Sequence, residues 1–304
     1  LVATENPNPA QLTRRGLLDE KGLFVLARQD AHSELRTHRA DSTRKADAFR
    51  RIRACAEQGK LIEERLATRL LPQHGPTQLL SSRALLRTPL FRVAGKQCPR
   101  EPSTKVVLAS QPQVIYRGPE LRQPDGLVFA TLLHMARDVL LGTPVSFHPK
   151  QVCQTLYGRY DGNTRHQLTE HIQRLQGGVV AFDAFSIQLC LGFDYPARGR
   201  WSVALDPNII ELFRDNSHVW LELGTRLKLP EGLTTWLYGY VRSQTRLIPT
   251  RLETLREACG SEAGDKPFMN VMRSALHELT DVGAVDPGWS LGQGMVRWMK
   301  GPQG

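Results

Sequence analysis

Cysteine is scarce in this chain and poorly placed for chemistry. The five residues, Cys55, Cys98, Cys153, Cys190 and Cys259, are scattered and odd in number. No CxxC pair occurs, and no His–Cys cluster has zinc spacing. That excludes zinc fingers and disulfide frameworks and points to a reducing cytosol. Long apolar runs are missing too. None reaches the ~20 residues that span a bilayer, and there is no recognisable secretory leader, so a soluble, cytoplasmic protein with no membrane partner is expected. The pattern GxxxxGK[ST] is absent, which removes a P-loop for ATP. His166 and His171 have no carboxylate at a ligand position beside them, and His148 stands alone. The chain is therefore read as a non-enzyme without catalytic residues, metal or cofactor. It opens on Leu1 rather than Met, as a fragment or a product of a non-standard start codon would.

What is present is length and positive charge. A chain of 304 residues can hold two modest domains and an extension. The formal charge is +10 and the pI near 9.7, which favours polyanionic partners. The surplus is uneven. Residues 1–75 carry 14 Lys and Arg against 10 Asp and Glu, and residues 76–125 carry 8 against 3. Residues 126–229 carry 10 against 9, and residues 230–304 carry 8 against 8. The basic charge thus lies ahead of two nearly neutral segments. The front would attract phosphates, and the segments behind it would supply geometry.

The order of elements gives the fold class. Residues 1–76 read as a basic extension, helical in part over 42–71 and otherwise loosely organised, broken by Pro72-Gln-His-Gly-Pro. Residues 77–124 read as a Pro-rich linker, with Lys105-Val-Val-Leu and Val114-Ile-Tyr as a short hairpin at the edge of the first domain. An apolar helix is expected over 126–141, ended by Gly142 and Pro144, then a strand at Val145-Ser-Phe and a short helix from Pro149. Asp161-Gly-Asn-Thr opens a second helix to Gln176. A tight hairpin of Val179–Phe182 with Phe185–Phe193 and a third run at Trp201–Leu205 follow. A shorter copy of this order recurs over 230–304: a helix 231–243, a helix capped by Thr250, a helix Pro267–Val282 and a small terminal pair of strands. The reading is α+β, with tandem winged-helix domains over 125–229 and 230–304, preceded by a basic, mostly helical extension.

Two helices carry the candidate contacts. Over 162–176, Leu168, Ile172 and Leu175 mark the inner face. Asn163, His166, Gln167, Glu170, Gln173 and Arg174 lie opposite, with Arg165 on the flank. Arg, Asn and Gln suit base edges in a major groove, and the position after a turn and before a hairpin suits a reading helix. The plainer alternative is a solvated face. Over 266–282, Phe268, Val271, Met272, Ala275, Leu279 and Val282 are expected inward, and Lys266, Asn270, Arg273, Ser274 and His277 outward, while Glu278 and Asp281 would repel phosphate near the end. Arg198 and Arg200 flank Gly199 between β-runs, as loop contacts to phosphate or as solvated charges. The five tryptophans divide between core and base stacking, with Trp220 and Trp236 assigned to the core.

Several segments carry a family resemblance: Val114-Ile-Tyr-Arg-Gly-Pro-Glu-Leu-Arg, Leu132-Leu-His-Met-Ala-Arg, Leu141-Gly-Thr-Pro-Val-Ser-Phe, Gly158-Arg-Tyr-Asp-Gly-Asn-Thr-Arg and Leu252-Glu-Thr-Leu-Arg-Glu-Ala-Cys-Gly-Ser. Over roughly residues 80–285 the chain resembles the TrfA-type plasmid replication initiators. The resemblance implies binding to direct repeats of duplex DNA at an origin, opening of AT-rich DNA, and a second mode on single-stranded DNA. It also implies recruitment of host helicase and initiator proteins, and a monomer–dimer equilibrium. Two alternatives stand beside it: a winged-helix transcriptional regulator binding a promoter as a dimer, and a scaffold whose winged helices bind proteins.

Overall fold

The computed structural model describes residues 70–298, except 96, 111–112 and 183–184. The extension expected over 1–76 lies outside the described residues as far as 69. Residues from Leu70 onward form one unit. In chain order the elements begin with β1 (Gln78–Ser82), α1 (Arg83–Leu86), β2 (Thr104–Ser110) and β3 (Gln113–Gly118). Then come α2 (Gln123–Met135), β4 (Val145–Phe147), α3 (Pro149–Tyr157) and α4 (Gly162–Gln176). Strands β5 (Val179–Ala181), β6 (Ser186–Gln188), β7 (Gly192–Asp194) and β8 (Trp201–Ala204) follow, then a 3₁₀ helix (Pro207–Asn216) and β9 (His218–Glu222). The remainder is α5 (Leu223–Lys228), α6 (Leu233–Ser243), β10 (Thr250–Arg251), α7 (Leu252–Cys259), α8 (Asp265–Asp281), β11 (Ser290–Gly292) and β12 (Met295–Arg297). The fold is α+β, as the sequence predicts.

Two apolar cores organise these elements. The first gathers Tyr116, Phe129, Leu133, Leu168, Ile172 and Trp201 between α2, α4 and the sheets. The second gathers Trp236, Leu237, Leu255, Phe268, Met272 and Leu279 between α6, α7 and α8. The same order of elements surrounds each core. In the first, α2–β4–α3–α4–β7–β8 has sheet order β4-β8-β7. In the second, α6–β10–α7–α8–β11–β12 has sheet order β10-β12-β11. In both sheets the last strand in sequence lies in the middle, between the strand after the first helix and its own hairpin partner. Local chemistry fixes the ends of the helices. Asp161 Oδ1 accepts the Thr164 N–H at 2.8 Å and Thr164 Oγ1 accepts the Asp161 N–H at 3.0 Å, closing the start of α4. Gly158, at φ 71°, ends α3.

Residues 77–124 are built into this body. β1 pairs antiparallel with β9, so that Leu80 faces Trp220. β2 and β3 form the expected hairpin and continue through β5 to β6 in a four-stranded sheet. The hairpin expected over 179–193 is therefore shorter. It closes at Phe182 N–H to Phe185 C=O (2.8 Å) and serves that sheet. The hairpin beside α4 is instead β7–β8, with the loop 195–200 at its tip.

The apolar helix is shifted relative to its expected span. α2 starts at Gln123, because Pro124 suits a first turn and Asp125 Oδ2 accepts the Arg122 N–H at 2.8 Å. It ends at Met135, where the N–H groups of Ala136, Arg137 and Val139 turn to carbonyls three or four residues back, well before Gly142. Thr250 lies in β10 rather than capping α7; its Oγ1 donates to Ile248 C=O at 2.7 Å. Val271 and Val282, expected inward, are exposed, because Phe268, Met272, Ala275 and Leu279 already fill the inner face of α8.

Gly118 is the tightest point in the first body. Its φ is 144°, and a Cβ there would lie 2.5 Å from the Gly177 carbonyl oxygen and 2.9 Å from Gly178 Cα. Both obstacles are backbone and cannot rotate away. Backbone strain of this kind costs about 1–3 kcal/mol, so Gly118→Ala lowers the free energy of unfolding in urea by about 2 kcal/mol or more. A loss below about 0.5 kcal/mol, the range of neutral surface changes, contradicts this account.

Candidate nucleic-acid interface

The structure places the outer face of α4 much as the helical period predicts. Asn163, His166, Gln167 and Gln173 are exposed, while Leu168, Ile172 and Leu175 are fully buried. His166 Nε2 lies 3.4 Å from Glu170 Oε1, one turn on. The free amides of Asn163 and Gln167 can each present a donor and an acceptor to one base edge.

Arg174 is used differently from its expected role. Its Nε donates to Asp125 Oδ1 at 2.9 Å. His171 Nδ1 meets the same oxygen at 2.7 Å, and Arg100 Nη1 donates to Oδ2 at 2.8 Å. The Asp125 side chain is 0 % exposed. Burial pushes its pKa up, but the hydrogen bond and charge of His171, with the charges of Arg174 and Arg100, outweigh burial and hold the carboxyl well below the usual range. This cluster fastens α4 to the first turn of α2. Helical spacing could not reveal it, since Asp125, Arg100 and His171 come from separate segments. The available signals were an Asp just after a helix-starting Pro, and His171 and Arg174 one turn apart.

The loop 195–200 is fastened to the same helix. Arg165 donates to the carbonyls of Ala197 (2.7 Å) and Pro196 (2.9 Å), and its guanidinium lies 5.4 Å from the centroid of the Trp201 ring. Gln173 Nε2 donates to the Tyr195 hydroxyl at 2.9 Å. Arg200 donates from Nε to Ser146 Oγ (3.0 Å) and from Nη2 to Ser146 C=O (2.6 Å). Arg165, Gln173 and Arg200 therefore shape the loop, and Arg198 is left exposed at its tip beside Gly199, whose φ is 97°. Trp201 is buried in the core, as are Trp236 and Trp298, so these three are not stacking platforms.

On α8, Lys266, Asn270, Arg273, Ser274 and His277 are all exposed. Ser274 Oγ donates back to the Asn270 carbonyl at 3.4 Å, and the His277 ring packs edge-on against Trp289 with centroids 4.9 Å apart. Glu278, expected to repel phosphate, turns inward and accepts from Thr234 Oγ1 at 2.6 Å. The tight turn Gln293-Gly294, with φ 52° and 68°, joins β11 to β12. A cleft of about 430 Å³ lies between this turn and the first turns of α8, lined by Arg251, Arg256, Asp265, Lys266 and Met269. The two halves thus each present an exposed polar helix face and a hairpin tip. Among the described residues, no helix is long and apolar enough to cross a membrane, and no group of three or more His, Cys, Asp or Glu is placed to hold a metal.

Removing the carboxylate by Asp125→Ala leaves the part-buried guanidinium groups of Arg100 and Arg174 without their shared partner, which costs about 3–5 kcal/mol in urea unfolding, whereas Gln167→Ala on the free face stays within about 0.5 kcal/mol. The depressed folded pKa also sets a pH dependence. The contribution of Asp125 is present above the unfolded carboxylate value of about 3.9 and is lost as pH falls through the folded value. Wild-type stability therefore falls more steeply than that of Asp125→Ala between about pH 5 and pH 2; parallel curves would contradict the assignment.

Residues 66–297 match the family described as TrfA protein. The chain is 28% identical over 218 residues to the plasmid replication initiator protein TrfA of Escherichia coli, covering 67% of this chain and 57% of that protein's length. It is similar to the crystal structure of domains 2 and 3 of RctB, at TM-score 0.47 and 11% identity over 65% of this chain and 86% of that one. It is also similar to the Pi initiator protein in complex with iteron DNA, at TM-score 0.47 and 13% identity over 75% of this chain and 99% of that one. The match over 66–297 contains β1 through β12, and the chain belongs to the TrfA family.

Proposed function

We propose that the protein is a plasmid replication initiator that reads direct repeats in duplex DNA with two winged helices in tandem. The observation that carries this reading is the repeated arrangement of helix, strand, two helices and hairpin, with the last strand central in each small sheet. In a winged helix that arrangement puts the third helix in the major groove and the hairpin tip beside it. Here the third helices are α4 and α8. Asn163, His166 and Gln167 on the first, and Lys266, Asn270 and Arg273 on the second, are exposed and chemically suited to base edges and phosphates. Arg198 at the tip of the first hairpin and the turn at Gln293 would lie along the flanking backbone.

Family membership supports the rest of the reading. Once bound at an origin, the protein opens adjacent AT-rich DNA, holds single-stranded DNA in a second mode and recruits host helicase and initiator proteins. It exchanges between monomer and dimer and works without a catalytic site of its own. Residues 126–229 and 230–304 are nearly neutral, while residues 76–125, which build part of the first body, carry 8 Lys and Arg against 3 Asp and Glu, so phosphate attraction there would add to the base contacts made by α4 and α8.

DNase footprinting on the DNA flanking the protein's own gene tests this function. The expected result is a row of protected direct repeats, with affinity that falls steeply as salt rises. A variant with Asn163, His166 and Gln167 all changed to Ala loses about tenfold or more in affinity for those repeats while its thermal melt is unchanged. No protected repeats, or full affinity in that variant, contradicts the proposal.

A further inference from the structure

The two exposed helix faces belong to different cores, yet a line of part-buried polar contacts runs from one helix to the other. It starts at α4, where His171 and Arg174 hold Asp125 in the first turn of α2. Two residues earlier in that turn, Gln123 faces the second core. Its carbonyl accepts from Arg226 Nη2 at 3.3 Å, its Nε2 donates to Phe91 C=O at 2.5 Å, and its Oε1 lies 3.5 Å from Thr235 Oγ1. Arg226 sits in α5, the short helix that connects the bodies, and both its Nη atoms lie 3.2 Å from Glu231 Oε1 at the entry to α6. Thr234, next to Thr235 in the first turn of α6, donates to Glu278 Oε2 of α8 at 2.6 Å. Asp125, Arg226, Thr234 and Thr235 are all buried.

Packing is tight on one side of this line, where α1 and α2 meet α6, whereas clefts of about 510 Å³ and 650 Å³ border Glu231 on the other. Ala130 of α2 belongs to the second core. A Cβ on Gly239 of α6 would lie 2.7 Å from the Leu86 side chain. The space left where α1 and α2 meet α6 is about 50 Å³, room for little more than water. The close-packed side, together with directional hydrogen bonds along the line, resists sliding and rotation.

We infer that Arg226, with Gln123 and Thr234, fixes the mutual placement of α4 and α8 and thereby sets the spacing between the two DNA segments that one molecule reads. Arg226 is a positioning residue, since it touches neither helix face offered to DNA. The inference rests on the DNA-reading function proposed above. Its physical basis is that one extra base pair moves the second segment about 3.4 Å along the duplex and about 34° around it. A rigid pair of helices cannot follow that displacement, whereas a loosened pair can.

The test uses duplexes that the full chain enriches from a random-sequence pool. One base pair is then inserted or deleted between the two protected major-groove segments, and binding is measured for wild type, Arg226→Lys and Thr234→Val. Arg226→Lys keeps the charge but cannot reach Glu231 and the Gln123 carbonyl together. Thr234→Val keeps the shape and removes the bond to Glu278. Wild type should lose about tenfold or more on the altered duplex. In each variant that penalty should shrink to about threefold or less, with a cooperative melt retained, and Thr234→Ser should restore it. The spacing penalty is a ratio within one protein, so a uniform loss of stability does not move it. If Arg226→Lys fails to fold, Thr234→Val decides alone. An unchanged penalty in a folded variant, or no penalty in wild type, overturns the inference while leaving DNA reading intact. Failure of wild type to enrich any sequence overturns the DNA reading and the inference with it.

Discussion

A single buried carboxylate organises the first body of this protein. Asp125 receives His171 and Arg174 from α4, Arg100 from the preceding segment and the Arg122 N–H from its own helix start. An isolated carboxylate could not remain charged there, because burial alone disfavours the ion by several kcal/mol. The cations are therefore what allow α2 and α4 to meet as they do. Because α4 also presents the polar face, the same contact that anchors the helix decides which side of it remains free. Arg174 is consumed by the anchor, and Asn163, His166 and Gln167 are left for a partner.

The repeated pattern of elements was legible in the sequence because it rests on local rules. The period of Leu168, Ile172 and Leu175, the cap at Asp161 and the Gly-rich breaks place α4 to the residue. The recurrence over 230–304 followed from the same signals. What escaped was non-local. Strand pairing moved the hairpin beside α4 from 179–193 to 192–204, because β5 found a partner in β3 and carried β6 into that sheet as its edge strand. Nothing in the composition of Val179–Phe182 distinguishes a hairpin tip from a sheet member. Likewise the Pro-rich stretch 77–124 looks like a linker by composition, yet its strands pair with residues as distant as Glu222.

The candidate site was legible in part for the same reason. A helical wheel separates inside from outside, and the exposed residues of α8 followed it closely. A wheel cannot tell which outward arginine will reach across to another element. Arg165, Arg174 and Arg200 all did so, toward the Pro196 and Ala197 carbonyls, Asp125 and Ser146. Long cationic side chains are the residues for which position on a wheel says least about their final partner. Arg198, exposed on a loop tip next to a glycine with positive φ, makes no such reach.

The proposed function requires α4 and α8 each to lie in a major groove of the same repeat. Methylation protection of guanine N7 across a bound repeat tests it most directly, since that atom is reached only from the major groove. Two protected patches per bound molecule are expected, on one face of the duplex and about one helical turn apart, with the patch belonging to α4 lost on changing Asn163, His166 and Gln167 to Ala. A single patch, or no protection of guanine N7 in a bound repeat, would contradict it.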